Sequence, residues 1–164
     1  GQPALDRLMA QADAADPGER SRMARGLQIG LVLDERKATF ERGDFLLRDV
    51  LGADHERRAV ARGAEVEVGT TVQFHVRDAR SADEDLRDLL AAERGDAALV
   101  FTCTGRGTAL FGHDDPDHDA SVIYAHVHRK ATAGMFSGGE IGPVGDEHFV
   151  HTMSTAMLLF DDLR

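Results

Sequence analysis

Hydrophobic positions along the chain recur at two spacings, one typical of helices and one typical of strands. In residues 3–11 the apolar side chains are three and four positions apart, which predicts an amphipathic helix. In residues 70–77 apolar and polar side chains alternate, as in a strand with one buried face. A continuous apolar run at residues 98–101 predicts a short buried strand. The chain therefore mixes helices and strands.

Cap and turn residues divide the chain into further elements. Asp16 followed by Pro17 and Glu19 predicts a helix start, and Ser81 followed by Glu84 predicts another. Helices are predicted at residues 3–11, 17–25, 82–94 and 114–129. Strands are predicted at residues 27–34, 43–51, 58–61, 65–68, 70–77, 98–101, 132–136 and 148–160 (one strand or two), with a turn at residues 62–64. The hairpin-like spacing predicts a single α+β domain with a largely antiparallel or mixed sheet and helices packed on it.

Charge and composition narrow the classes of partner. The 164 residues suffice for one domain with a core, and the net charge of −10 argues against nucleic acid or an anionic membrane as partner. A single cysteine cannot form an internal disulfide, and no apolar run approaches the ~20 residues that span a bilayer. We therefore expect a cytoplasmic protein. The first residue is Gly, as expected of a segment cut from a longer chain.

The predicted buried strand leads into the first candidate site. Cys103 follows the strand, and Gly105, Arg106 and Gly107 form a glycine turn. Cys103 is either a small buried hydrophobic residue or a thiol activated by a nearby cation. The glycines either allow a tight turn, or they form with Arg106 a nest of N–H groups that holds a carboxylate or phosphate. We expect Arg106 to be exposed, and we favour the anion-binding interpretation.

A second glycine cluster at residues 137–143 provides the other candidate site. Gly138 and Gly139 permit close approach by a ligand or by another segment, and Glu140 can accept an amine or pair with Arg106. A structural turn is the alternative. His75 and Arg77, near the end of the alternating strand, are further candidates for the lining of the site.

The eight histidines follow no recognised metal-binding spacing. The acidic run at residues 114–119 lacks the spacing of a calcium-binding loop. We expect neither a metal nor a cofactor, although a single histidine can serve as an axial haem ligand.

Several segments together resemble the C-terminal domain of the FIST sensory proteins, in the family's order over residues 3–160. The segments are Gly43-Asp44-Phe45-Leu46-Leu47-Arg48, residues 72–78, Phe101-Thr102-Cys103-Thr104-Gly105-Arg106-Gly107, His118-Asp119, and residues 133–143. The resemblance implies a signal-input module that binds a small ligand, such as an amino acid, beside a signalling output domain or protein. Some members are similar to haem-dependent nitric-oxide sensors. The companion N-terminal domain is absent from this sequence, so we expect residues 1–164 to be the C-terminal part of a longer FIST protein.

The sequence-based hypothesis is a non-enzymatic sensory domain for small molecules. Cys103, Gly105, Arg106 and Gly107 would form one side of the site, with Gly138, Gly139 and Glu140 opposite and His75 or Arg77 at its edge. Arg106 would hold an anionic group and Glu140 a cationic one, which an amino acid supplies together. The alternatives are a haem-dependent gas sensor, an enzyme with Cys103 as nucleophile, and a protein-interaction module.

Overall fold

The computed structural model describes residues 1–63 and 65–161, which group into two compact units, one from Gly1 to Arg77 and one that begins at Asp78. The predicted turn at residues 62–64 extends to Ala64, which lies outside the described residues. That the chain forms one domain stays a prediction.

The first unit combines two helices with a four-stranded antiparallel sheet. Its elements are α1 (Ala4–Ala14), α2 (Pro17–Arg25), β1 (Leu27–Val32), β2 (Phe45–Asp54), β3 (Ala59–Arg62) and β4 (Val72–Val76). The strand order is β3-β2-β1-β4. Helix α2 begins as predicted, because the Asp16 carboxylate accepts a hydrogen bond from the backbone N–H of Glu19 at 2.8 Å.

The second unit combines helices with a mixed sheet and a hairpin. Its elements are α3 (Ala79–Ala92), β5 (Ala97–Cys103), a 3-10 turn (Thr104–Arg106), α4 (Thr108–Phe111), α5 (His118–His126), β6 (Ala131–Ser137), β7 (Glu140–Val144), β8 (Glu147–His151) and β9 (Thr155–Phe160). In the sheet, β5 lies between β6, to which it is parallel, and β9, to which it is antiparallel. Strands β7 and β8 form the antiparallel hairpin.

The core of the second unit lies between this sheet and the helices α3 and α5. Ile123 and Val127 are fully buried and pack with Leu86, Leu90 and Val100. The α+β class with antiparallel and mixed sheets is therefore confirmed. None of the described helices is both long and apolar enough to span a bilayer.

Four local predictions were wrong. Residues 65–68 form no strand, because Val66 and Val68 are exposed and have no apolar surface to pack against. Helix α3 begins at Ala79 and not after Ser81, because the Asp78 carboxylate caps it by accepting from the Ser81 N–H. In the same helix the helical spacing of Leu86, Leu89 and Leu90 predicts one buried stripe, but Leu89 is half exposed. Strand β7 lies where the glycine cluster predicts a turn, because only its pairing with β8 makes it a strand.

The parallel pairing of β5 and β6 depends on a glycine. Gly134 lies opposite Val100, and a Cβ at Gly134 would lie 1.9 Å from the Val100 carbonyl oxygen. Gly134→Ala should therefore force β6 away from β5 and lower the free energy of unfolding by about 1–3 kcal/mol or more, measured by urea denaturation. Gly138→Ala is the matched control, because nothing lies within 4 Å of its added Cβ. Equal stability of the two variants would contradict this pairing.

Candidate functional site

The first candidate segment begins where β5 ends. The Cys103 N–H donates to the Ser154 carbonyl at 3.0 Å, and the chain then enters the 3-10 turn. Cys103 itself is buried. Gly105 packs against Met153 in this turn: a Cβ at Gly105 would lie 2.1 Å from the Met153 sulfur and would displace that flexible side chain. Arg106 is the last residue of this turn.

Arg106 is not exposed, contrary to the prediction from sequence. It is 9% exposed and forms a bidentate ion pair with Asp119, which is 2% exposed. The Arg106 Nε donates to Asp119 Oδ2 at 2.6 Å and Nη2 donates to Oδ1 at 2.9 Å. The sequence prediction was wrong because the partner lies 13 residues away on α5. A buried ion pair costs several kcal/mol of desolvation per ion, so it is retained only with such geometry.

Further side chains surround the Asp119 carboxylate. Thr155 Oγ1, at the start of β9, donates to Asp119 Oδ2 at 2.6 Å. His118 Nδ1 lies 3.3 Å from Asp119 Oδ1, and its Nε2 lies 2.9 Å from Oδ1 of Asp83 on α3. Phe111 stacks on the His118 ring at a centroid distance of 3.8 Å. The pair is thereby connected to α3, α4 and β9.

The electrostatics of Asp119 follow from two opposing effects. Burial of its carboxyl group would raise the pKa, but the hydrogen bonds from Arg106 and Thr155 outweigh burial. The pKa of Asp119 therefore lies below its ordinary value of 3.8, and the group is a carboxylate at neutral pH.

The Arg106–Asp119 pair forms part of the wall of a cavity of about 250 Å³, which we call cavity A. Its other walls come from β5, residues 116–120 and residues 132–136 of β6. Met135 and Phe136 supply exposed apolar surface. The Thr132 hydroxyl, in the same wall, is buried and has no hydrogen-bond partner. Cavity A thus offers a buried positive group, a buried negative group and an unpaired hydroxyl.

Glu140 belongs to a different cavity of about 410 Å³, which we call cavity B. Glu140 is 3% exposed, and its carboxylate accepts from Ser137 Oγ at 2.7 Å and from Ser154 Oγ at 2.6 Å. The remaining wall contains Leu89, residues 141–143, His151 and residues 154–157. Of the two possibilities that the sequence left open for Glu140, the pairing with Arg106 does not occur, because Arg106 pairs with Asp119.

The two glycine clusters lie side by side at the ends of neighbouring parallel strands. Cys103 is in register with Ser137, so the turn with Gly105 and Gly107 and the segment with Gly138 and Gly139 follow adjacent strands. The structure therefore brings both clusters together, but Arg106 and Glu140 line separate cavities.

His75 and Arg77 belong to the first unit, where they contact Phe45 and Asp49 respectively. The His75 ring packs against Phe45 at a centroid distance of 4.9 Å, and its buried Nε2 has no hydrogen-bond partner. Burial lowers the pKa of His75 below its ordinary value of 6.5. Arg77 pairs with Asp49. These contacts hold the two side chains on the β1–β4 sheet.

Within residues 1–63 and 65–161, no three His, Cys, Asp or Glu side chains are arranged to hold a metal ion. Of cavities A and B, only cavity B has a histidine in its wall. That histidine, His151, donates its Nε2 hydrogen to the Gly142 carbonyl at 3.0 Å, so this nitrogen is not free for haem iron.

His118, Asp119, Phe111 and Thr155 are site residues that the sequence did not assign. His118-Asp119 is one of the segments that carry the family resemblance, so a signal for two of them was present in the sequence. No spacing rule connects Phe111 or Thr155 to Arg106, because only the fold brings them together.

Comparison with known proteins identifies related sequences. The family model described as the FIST C domain matches residues 4–143. An uncharacterized protein of Mycobacterium tuberculosis is 46% identical over 99% of this chain, and one of Mycobacterium bovis is 43% identical over 99%. The chain spans 43% of the length of each of these relatives. No solved structure matches.

The ion pair predicts a pH-dependent loss of stability. Asp119→Asn leaves the buried Arg106 without its counter-ion and should lower the free energy of unfolding by about 3–5 kcal/mol at pH 7. The pKa of Asp119 lies below 3.8 in the folded state, so the carboxylate contributes fully to the free energy of unfolding at pH values above 3.8. This contribution is lost as the pH falls through the folded-state pKa, and the difference between wild type and D119N should narrow below about pH 4.

Urea denaturation of both proteins from pH 3 to 7 measures this difference. Asp115→Asn, at an exposed aspartate four residues away, is the control and should change stability by less than about 0.5 kcal/mol. A D119N variant as stable as D115N would contradict the assigned role of the pair.

Proposed function

Because the chain belongs to the FIST C domain family, we propose that it is a sensory domain that binds a small ligand in cavity A. FIST C domains are a family of sensory signal-transduction domains. The observation that carries the choice of site is the buried Arg106–Asp119 pair in the wall of a cavity. Buried ion pairs add little net stability to a fold, so a role in binding explains this pair better than a purely stabilising role does.

The size and chemistry of cavity A support a small zwitterion, such as an amino acid, as the ligand. A volume of about 250 Å³ lies just below the usual range for drug-sized ligands. A ligand carboxylate can take the two hydrogen bonds that Arg106 now gives to Asp119. The ligand ammonium can in turn pair with Asp119, and the free Thr132 hydroxyl provides a further contact. Arg106 and Asp119 then each have a partner of opposite charge.

Such an exchange also provides a route for a signal. Asp119 is bonded to Thr155 on β9 and contacts His118, which contacts Asp83 on α3. A ligand that shares Asp119 would weaken these contacts, and its differential affinity for the two arrangements would shift the equilibrium between them. The output is a signalling domain or protein in the cytoplasm. With a net charge of −10, nucleic acid and anionic membrane are not the proposed partners.

We propose a non-enzymatic role for Cys103. The residue is 6% exposed, whereas a nucleophilic cysteine has to meet its substrate. Its position between the core of β5 and the glycine turn supports a packing role.

The ligand proposal is tested by thermal shift with single amino acids. A ligand at 100 times its dissociation constant should add about 2.7 kcal/mol of stability. The single variant Arg106→Ala is unsuitable for this test, since Asp119 would lose its counter-ion. The double variant R106M/D119N keeps the net charge and should bind the same amino acid at least ten-fold more weakly.

The exposed pair Arg80–Glu84 offers a matched control, R80M/E84Q, which should bind as the wild type does. Equal binding by R106M/D119N and wild type would contradict the assignment to cavity A.

The proposed role of Cys103 predicts slow alkylation. Iodoacetamide should modify Cys103 in the native protein at least about a hundred-fold more slowly than in urea, because reaction requires local opening. Mass spectrometry of the time course measures the ratio. Native-state alkylation at the rate of a free thiol would instead support the alternative of a cysteine-dependent enzyme.

A further inference from the structure

Cavity B contains a buried carboxylate that no cation neutralises. Glu140 is 3% exposed, and its two hydrogen-bond partners are the neutral hydroxyls of Ser137 and Ser154. Among the described residues, no Lys, Arg or His forms an ion pair with it. A buried carboxylate costs free energy unless it is paired, and two neutral donors offset only part of that cost.

The other polar side chains of cavity B present hydrogen-bond acceptors only. Ser154 and Thr155 line the cavity, but their hydroxyl hydrogens are already donated to Glu140 and Asp119 respectively. Their oxygens therefore retain lone pairs alone. The His151 Nε2 hydrogen is likewise donated, to the Gly142 carbonyl, so the neutral ring keeps an acceptor at Nδ1.

A wall of this kind selects its ligand by charge and by hydrogen-bond type. An alkylammonium group carries one positive charge and three N–H donors, which matches one carboxylate surrounded by acceptors. A carboxylate or phosphate would meet the negative charge of Glu140 and find no side-chain donor. The apolar part of the wall, with Leu89, Ile141 and Met157, suits a short hydrocarbon chain.

We propose that cavity B is a second binding site, which takes a small primary amine in its ammonium form. The inference goes beyond the function proposed for cavity A and does not depend on it, because Arg106 and Glu140 line different cavities. Glu140 provides the counter-ion, and Ser137 and Ser154 hold its carboxylate in position.

The test is an NMR titration of the uniformly 15N-labelled chain at pH 7 and constant ionic strength. The probes are n-butylamine, which is protonated at this pH, together with butyrate and n-butanol, which have the same carbon chain. Butylamine should give saturable shifts at the amides of Ile141, Gly142 and Ala156. Butyrate and butanol should bind at least ten-fold more weakly. This comparison uses the wild type and does not depend on the folding of a variant.

Two variants assign the binding to Glu140. Glu140→Gln keeps the shape of the side chain and an acceptor oxygen but removes the charge, and it should weaken butylamine binding at least ten-fold. Glu147→Gln, at an exposed position outside the cavity wall, is the control and should change the dissociation constant less than two-fold.

The proposal is overturned if butylamine gives no saturable shift at these amides, if butyrate binds as tightly, or if E140Q binds butylamine as the wild type does. R106M/D119N should retain butylamine binding. The amine proposal for cavity B can therefore be rejected independently of the amino-acid proposal for cavity A.

Discussion

The buried pair between Arg106 and Asp119 is the electrostatic constraint that several elements of the second unit satisfy together. It joins the turn after β5 to α5, and Thr155 adds β9 to the same carboxylate. Each charge is acceptable in the interior only because the other is there, so removing one is far more costly than removing both. The pair is therefore both a structural connection and a balanced pair of charges that a zwitterion can share.

The two neighbours of strand β5 in the sheet contribute to the walls of the two cavities. Its parallel neighbour β6 approaches closely because Gly134 has no side chain, and residues 132–136 then form a wall of cavity A. Its antiparallel neighbour β9 contributes residues 155–157 to cavity B. Thr155 lines cavity B while its hydroxyl is bonded to Asp119 in cavity A. The two sites are adjacent but chemically different, since one contains both charges and the other only a carboxylate with acceptors.

Local patterns predicted most elements but not the contacts between them. The cap at Asp16 and the apolar run of β5 depend on neighbouring residues, so the sequence predicted both. The burial of Arg106 depends on Asp119, 13 residues away, and no spacing rule indicates that contact. The sequence likewise placed Arg106 and Glu140 in one site, because it showed two glycine clusters but not the folding that puts the two side chains in the walls of different cavities. The FIST resemblance included His118-Asp119, which turned out to lie at the centre of the site.

The side-chain NMR signal of Arg106 tests most directly whether an amino acid binds at the Arg106–Asp119 pair. In the free protein its Nε–H should be observed at neutral pH with slow hydrogen exchange, because it is buried and bonded to Asp119. Titration with an amino acid that stabilises the protein should shift this signal in a saturable way, with the same dissociation constant as the thermal shift. If the Arg106 signal stays unchanged while the protein is saturated with the amino acid, the ligand binds elsewhere. That result would contradict the assignment of the binding site to the Arg106–Asp119 pair.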